Sequence, residues 1–481
     1  MDQLTSNKLE LEKEDSNIEI GIYDVFLPCR RYRINFKVAE TGKASLTTEF
    51  LLRLIHSIDG MYESEVSKFF DFSAVEMTYL LNESVSLGYI NRDSGRLWLT
   101  SAGRNLFVPD NDSPQIFNVD NSSLDIGFDQ ISFAPQEKGW TDHFDPALPE
   151  LAIDPATASK GTEQVTISFK KHFSEIAFRR EFKSGPRKSL YSIDSVSPGD
   201  RFVAIVPVVV KAQKTLPSRG EPDLTIWRSE DELDHRSKIT PAVARFVDEL
   251  RFSLPRDAKE QYKILLDLAP NLMGEYSSKE VVSVKKFYKE VVSLKSAGFR
   301  KNRTTIPIVG PLFTAKNIRL ILNGLALGVA NTPTESLPTK FYWRAPYTWH
   351  WGRTRTLPEL IDRLSQLLSS KSETYDPTVS AILLRDETHR APDKAFRKTI
   401  QLTTGELPRS VEILLVPGLL VAVLVHLPVE AAHGHAVPLG FVSVDASVII
   451  NAEELLSTVT NIETPSVRPN ESHFELPDES N

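Results

Sequence analysis

The run ILLVPGLLVAVLVHLPV, residues 413–429, contains no Asp, Glu, Lys or Arg. A stretch of that kind has to leave water when the chain folds. Its length is at the bottom of the range that spans a bilayer as a helix, about 17–25 residues. Pro417-Gly418 breaks it, His426 and Pro428 close it, and Val and Leu dominate its composition. Pro followed by Gly fills the centre of a type II turn. The run therefore predicts two buried strands joined at that turn, with a further strand over 437–444. A sheet core of this kind puts the chain among mixed α/β (α+β) proteins and predicts no membrane partner.

At 481 residues the chain has room for about three domains. Its one cysteine, Cys29, excludes an internal disulfide and any cysteine-built zinc site, and fits a reducing compartment. The polar, acidic start MDQLTSNKLELEKEDSN lacks the apolar stretch of a secretory signal. A cytoplasmic location is expected.

The segments expected along the chain are a disordered tail (1–16), strands plus a helical domain (17–107), and a Pro- and Asp-rich linker or draped segment (108–162). Two mixed α/β regions follow (163–300 and 301–460, the second with the buried sheet core), then an acidic tail (461–481). IEIGIYDVFLPCRRYRINFKV reads as one or two strands, EQVTISFKK as a strand, and LYSIDSVSPGDRFVAIVPVVVKA as two strands around Pro198-Gly199. TPAVARFVDEL, AKEQYKILLDL, LPELIDRLSQLLSS and residues 278–296 carry helical spacing.

Residues 45–107 have the clearest pattern. LTTEFLLRLIHSIDG places Leu51, Leu54, Ile55 and Ile58 at helical spacing before Gly60, and ESEVSKFF is a short second helix. Ser73 and Glu76 form a capping-box pair at the start of a third helix, with Met77, Leu80 and Leu81 as its apolar stripe and Gly88 as its stop. YINRDSGRLWLT then reads as two strands around a turn, and SAGRNLF as a closing helix. Three helices followed by a β-ribbon resemble the winged-helix superfamily. The resemblance implies a module that serves DNA binding or protein contact, with the third helix as recognition helix. Here that helix holds Glu76 and Glu83 and no Lys or Arg between 73 and 87, whereas DNA contact leans on Arg and Lys. Protein contact is expected instead, with Arg92 and Arg96 of the ribbon left as phosphate contacts.

Charge is unevenly spread. Between residues 271 and 360 fourteen basic residues face five acidic ones, a net of +9 in a chain of net −8, so the remainder stands at −17. The same block contains KFYWRAPYTWHWGRTRT, with Trp343, Trp349 and Trp351. Aromatic side chains interleaved with Arg are the composition of single-stranded nucleic-acid grooves; they are also what fills an interior. The expected anion-binding set is Lys285, Lys286, Lys289, Arg300, Lys301, Arg303, Trp343, Trp349, Trp351, Arg353 and Arg355. Trp349 and Trp351, separated by His350, are expected on one face of a strand.

No catalytic residues and no cofactor are expected. Neither GxxxxGK[ST] nor GxGxxG occurs, and GxSxG is absent. Pro222-Asp223 begins a restriction-type nuclease signature, but the acid-x-Lys that should follow is missing. His426, His433, His435 and Asp445 are the best candidate metal ligands, but Gly and Pro beside His433 make a plain exposed turn the default reading. These features together predict a nucleic-acid-associated, non-catalytic subunit of a bacterial DNA-handling assembly, of the antiviral-defence or repair type, with protein partners. The alternatives are a metal-dependent nuclease or phosphodiesterase built on those histidines, and a pure protein scaffold.

Overall fold

The computed structural model describes residues 16–41, 46–107, 114, 117–137, 148–180, 188–234, 236–294, 298–370, 380–386, 392–402 and 407–462. Residues 1–15 and 463–481, nearly all of the two expected tails, lie outside the described residues. The fold is mixed α/β with several sheets, as the sequence predicts.

Strand β1 (Asn17–Thr41) runs unbroken for 25 residues. Residues 46–104 are inserted after it: helix α1 (Leu46–Ser57), strand β2 (Met61–Tyr62), helices α2 (Glu63–Phe70) and α3 (Ala74–Ser86), and strands β3 (Ile90–Asp93) and β4 (Arg96–Leu99). Ser73 caps α3 and accepts from the Glu76 amide, while the Glu76 carboxylate accepts from the Ser73 amide at 2.9 Å. Leu51, Leu52, Ile55, Met77, Leu80, Leu81, Leu97 and Leu99 form a small core of their own. Ile58, expected on the buried stripe of α1, is exposed.

Strand β5 (Phe117–Asp129) then pairs antiparallel with the second half of β1. The expected linker is therefore in part a strand. Its polar composition reflects an outer position in the sheet, where β1 supplies the ladder on one side and water covers most of residues 119–123. Helix α4 (Gly161–Arg180) follows where EQVTISFKK predicts a strand. Val165, Phe169, Phe173 and Ile176 recur at helical spacing and pack on Ile34, Phe36 and Phe128, and this burial outweighs the local β-branched alternation.

Strand β6 (Lys188–Gln213) pairs with almost all of β1. Pro198-Gly199 is not a turn. Pro198 lies opposite Tyr32, beside a register shift between Arg30 and Tyr32, and a bulge tolerates the missing amide. Strand β7 (Gly220–Asp223) completes this sheet, in the order β5-β1-β6-β7.

The rest of the chain builds a second, seven-stranded sheet. Helices α5 (Ile239–Glu249), α6 (Ala258–Leu268) and α7 (Val284–Ser293) come first, with short strand β8 (Phe252–Ser253) between α5 and α6. Then follow β9 (Thr305–Val309), α8 (Ala315–Asn331), β10 (Lys340–Arg344), α9 (Thr356–Ser369), β11 (Ser380–Asp386), β12 (Lys398–Leu402), β13 (Val411–Val416), β14 (Leu420–Leu427), β15 (His433–Gly434), β16 (Val437–Ser443) and α10 (Ala446–Ser457). The sheet order is β9-β16-β14-β13-β10-β11-β12, parallel only between β10, β11 and β12.

The uncharged run is the hairpin β13-β14, turning at Gly418 with φ 73°. Alternate residues face opposite layers. Ala422 and Leu424 meet α8 and α9 through Ile321, Leu325, Leu360 and Leu364. Val421, Val423 and Val425 meet α6 and α10 through Leu265, Ile449 and Ala452. Helices thus cover both faces, which is why every residue of β13, β14 and β16 is buried. The second core also takes in Val25, Leu27, Val206 and Val208 of the first sheet and Val243 of α5, so packing joins residues on either side of position 300. Among the described residues no helix is long and apolar enough to cross a membrane.

Candidate functional site

The basic residues of the expected anion-binding set lie in two places. Helix α7 buries Phe287, Tyr288 and Val291 and turns Lys285, Lys286 and Lys289 outward. Lys285 pairs with Glu430 at 2.8 Å. Lys286 donates to the Glu275 carbonyl at 2.8 Å and lies over the Tyr276 ring. Arg300 and Arg303 close a turn through mutual backbone hydrogen bonds of 3.2 and 2.9 Å, and Arg300, Lys301 and Arg303 are exposed.

The tryptophan segment departs from the expectation. Only residues 340–344 are strand, and there Phe341, Tyr342, Trp343 and Arg344 are all buried in the middle of the seven-stranded sheet. From Ala345 the chain leaves the sheet, and His350 (φ 58°) and Gly352 (φ 69°) fold it into turns. Trp349 and Trp351 therefore do not share a strand face. Trp343 and Trp351 are core residues and meet edge-on with Phe313 beside them. Arg353 is buried too. Arg355 donates its backbone amide to Asp24 at 2.5 Å and approaches the same carboxylate with its guanidinium. Trp343, Trp351 and Arg353 thus serve packing, because the end of a central strand and the turn after it must be filled from within. Trp349 alone of the three tryptophans stands out, 71% exposed.

Arg92 and Arg96 are engaged within their own unit. Arg92 forms a two-point pair with Glu63. Arg96 donates to the Gly60 carbonyl at 3.1 Å and stacks over Tyr62 at 3.9 Å. On α3, Val75 and Tyr79 are 80% and 75% exposed, so its outer face presents large apolar side chains among polar ones and no Lys or Arg.

The four candidate metal ligands do not converge. His433 faces Ser253 at 3.3 Å. Asp445 caps α10, accepting from the Ser447 amide at 3.0 Å and from Thr304 at 2.9 Å. His435 accepts from the Gly220 amide with Nδ1 at 3.0 Å and donates to the Val247 carbonyl with Nε2 at 2.8 Å. Burial holds its imidazole below the ordinary value, against the pull of the Val247 and Ser218 carbonyls. Among the described residues no three His, Cys, Asp or Glu side chains could hold a metal ion. Asp223 of the Pro-Asp pair is bound to Lys211 at 2.6 Å, and Cys29 is buried, its thiol pushed up mainly by desolvation.

His426 has the partner that the sequence reading missed. Its Nε2 lies 2.6 Å from Glu412 Oε2, and Trp343 Nε1–H donates to Glu412 Oε1 at 2.9 Å. The ladder pairs Glu412 with Leu424, so His426 is its diagonal neighbour on the same face, within reach of long side chains. The signal was present: Glu412 is the charge that directly precedes the uncharged run, and His426 is the one imidazole within it. On the opposite face Arg344 donates to the Val411 and Arg409 carbonyls and approaches Asp386 at 3.5 Å. Burial brings its guanidinium down to about 10, opposed by Asp386 and Glu412.

His426 also lines a cleft between the first sheet and the loop that follows β10. Tyr23, Phe252, Phe313, Trp349 and Trp351 supply its aromatic wall. The space open to water centres is about 40 Å³, room for two or three waters. No protein-family model, curated protein or solved structure matches this chain.

Proposed function

We propose that the chain is a nucleic-acid-associated, non-catalytic subunit of a DNA-handling assembly of the defence or repair type. In this reading residues 46–104 are a winged-helix unit that binds a partner protein, and the loop bearing Trp349 meets single-stranded nucleic acid. One observation carries it: Trp349 stands mostly in water at the mouth of an aromatic cleft, in a segment whose other two tryptophans are buried. An indole kept in water at such a place is what stacking on a base requires. Tyr347, also exposed, and Arg409 over its ring extend the same surface. The protein-contact role rests on Val75 and Tyr79, since a groove reader needs cations where α3 offers apolar side chains. The test is a fluorescence titration of the full chain with single- and double-stranded oligonucleotides at increasing salt. Affinity that falls steeply with salt and favours single strands is expected; no binding of either at low salt overturns the reading.

A further inference from the structure

We propose that the cleft beneath Trp349 receives one unstacked nucleobase, its hydrogen-bonding edge turned toward His426. This rests on the nucleic-acid reading above and names what that surface grips.

The chemistry of the cleft narrows the ligand. Glu412 Oε2 and His426 Nε2 share one hydrogen bond of 2.6 Å. Nε2 is thereby engaged, and Nδ1 is the ring nitrogen left for a ligand. His426 is only 5% exposed but lines the cleft. Glu412, itself bonded to Trp343, holds the ring from behind, fixing a polar ring nitrogen in an aromatic cleft.

The lining contains no Lys or Arg, and Glu412 lies behind the imidazole, so a phosphate is disfavoured inside. A neutral flat ring is not. With room for only two or three waters, the cleft admits the edge of one ring while the rest lies against Trp349. A base presents its N–H on that edge, as thymine and uracil do at N3 and guanine at N1.

The experiment titrates the full chain with a dye-labelled oligothymidylate of about twelve nucleotides, an abasic strand of the same length, and a strand of N3-methylated thymines, where one stacked base sets an expected advantage of about tenfold. Oligothymidylate should bind that much more tightly than the abasic strand, and N3-methylation should remove most of the gain with the protein unaltered. Trp349→Ala, at an exposed position, should reduce the gain as well. Equal binding of oligothymidylate and abasic strand overturns base capture while leaving strand binding standing. No binding of any strand overturns both. Saturation by free thymidine or by a tyrosine peptide at the same concentration overturns the assignment to a strand.

Discussion

His426 Nε2 and Glu412 Oε2 lie 2.6 Å apart, both side chains buried between a central hairpin and the helices α8 and α9. Glu412 is also the acceptor for Trp343, so one carboxylate holds two donors that water hardly reaches. Glu412→Ala leaves both buried donors without an acceptor and should cost about 1–3 kcal/mol for each, the range for a buried polar group left unsatisfied. Glu412→Gln keeps a single acceptor and should fall between. Chemical denaturation followed by circular dichroism reads both; a Glu412→Ala midpoint equal to the parent would mean that the pair carries no load.

His435 sets an acid limit on stability. Its folded-state value lies below the ordinary 6.5, with burial as the largest cause. Below 6.5 the unfolded chain takes up the proton first, so stability present at neutral pH is lost as the pH falls through that window. The structural reason is direct: protonated Nδ1 can no longer accept from the Gly220 amide. His350 is shifted the same way, again chiefly by burial. The melting temperature should therefore drop between about pH 7 and about pH 5, and less steeply in His435→Gln. Parallel pH profiles for the two proteins would rule His435 out as a contributor.

How much of this the sequence carried depended on whether local pattern and tertiary burial agreed. At residues 413–429 they did, because an uncharged, β-branched run broken by Pro-Gly has one good solution, and the hairpin appears there. AKEQYKILLDL is helix α6, Ala258–Leu268, for the same reason. They conflicted at EQVTISFKK, where the decisive residues Phe173 and Ile176 lie beyond the segment that looked like a strand. β5 was illegible because its polar residues are paired by a strand nearly ninety positions away (Ser123 with Asn35). In the site, basic and aromatic composition marked the right loop but not which tryptophan was exposed. That depends on the turn at His350 and Gly352, which no periodicity announces. The Glu412–His426 pair required a register, and so became visible only with the hairpin built.

The inserted unit of residues 46–104 should separate from nucleic-acid binding. Arg92 and Arg96 are committed to Glu63, Gly60 and Tyr62, and α3 offers Val75 and Tyr79. Tyr79→Ala with Val75→Ala should change stability by no more than about 0.5 kcal/mol each, as exposed substitutions do. Oligonucleotide affinity should not move in that variant or in Glu76→Ala with Glu83→Ala. Arg92→Ala with Arg96→Ala should lower the stability of the unit without weakening the oligonucleotide titration. A tenfold-class loss of affinity in any of the three variants would return this unit to DNA reading.

The two tryptophans Trp349 and Trp343 should give opposite results. Trp343 is fully buried, bonded to Glu412 and packed on Phe313 and Trp351; Trp343→Ala should cost about 3–5 kcal/mol of stability, the range for emptying a large aromatic site. Trp349 is 71% exposed, and its removal should cost no more than about 0.5 kcal/mol. Binding should invert this order: losing one stacked base, worth about 1–3 kcal/mol, makes Trp349→Ala weaker on single strands, with duplex little affected. Lys289 and Arg303 are exposed and have no ion pair among the described residues. If they neutralise two phosphates, Lys289→Glu with Arg303→Glu should weaken all sequences alike and flatten the logarithmic salt slope by about 1.4 for single strands. Trp349→Ala should leave that slope unchanged, because stacking releases no counterions. A salt slope unmoved by the charge reversals, with a parent that binds, would place the phosphates elsewhere on the surface.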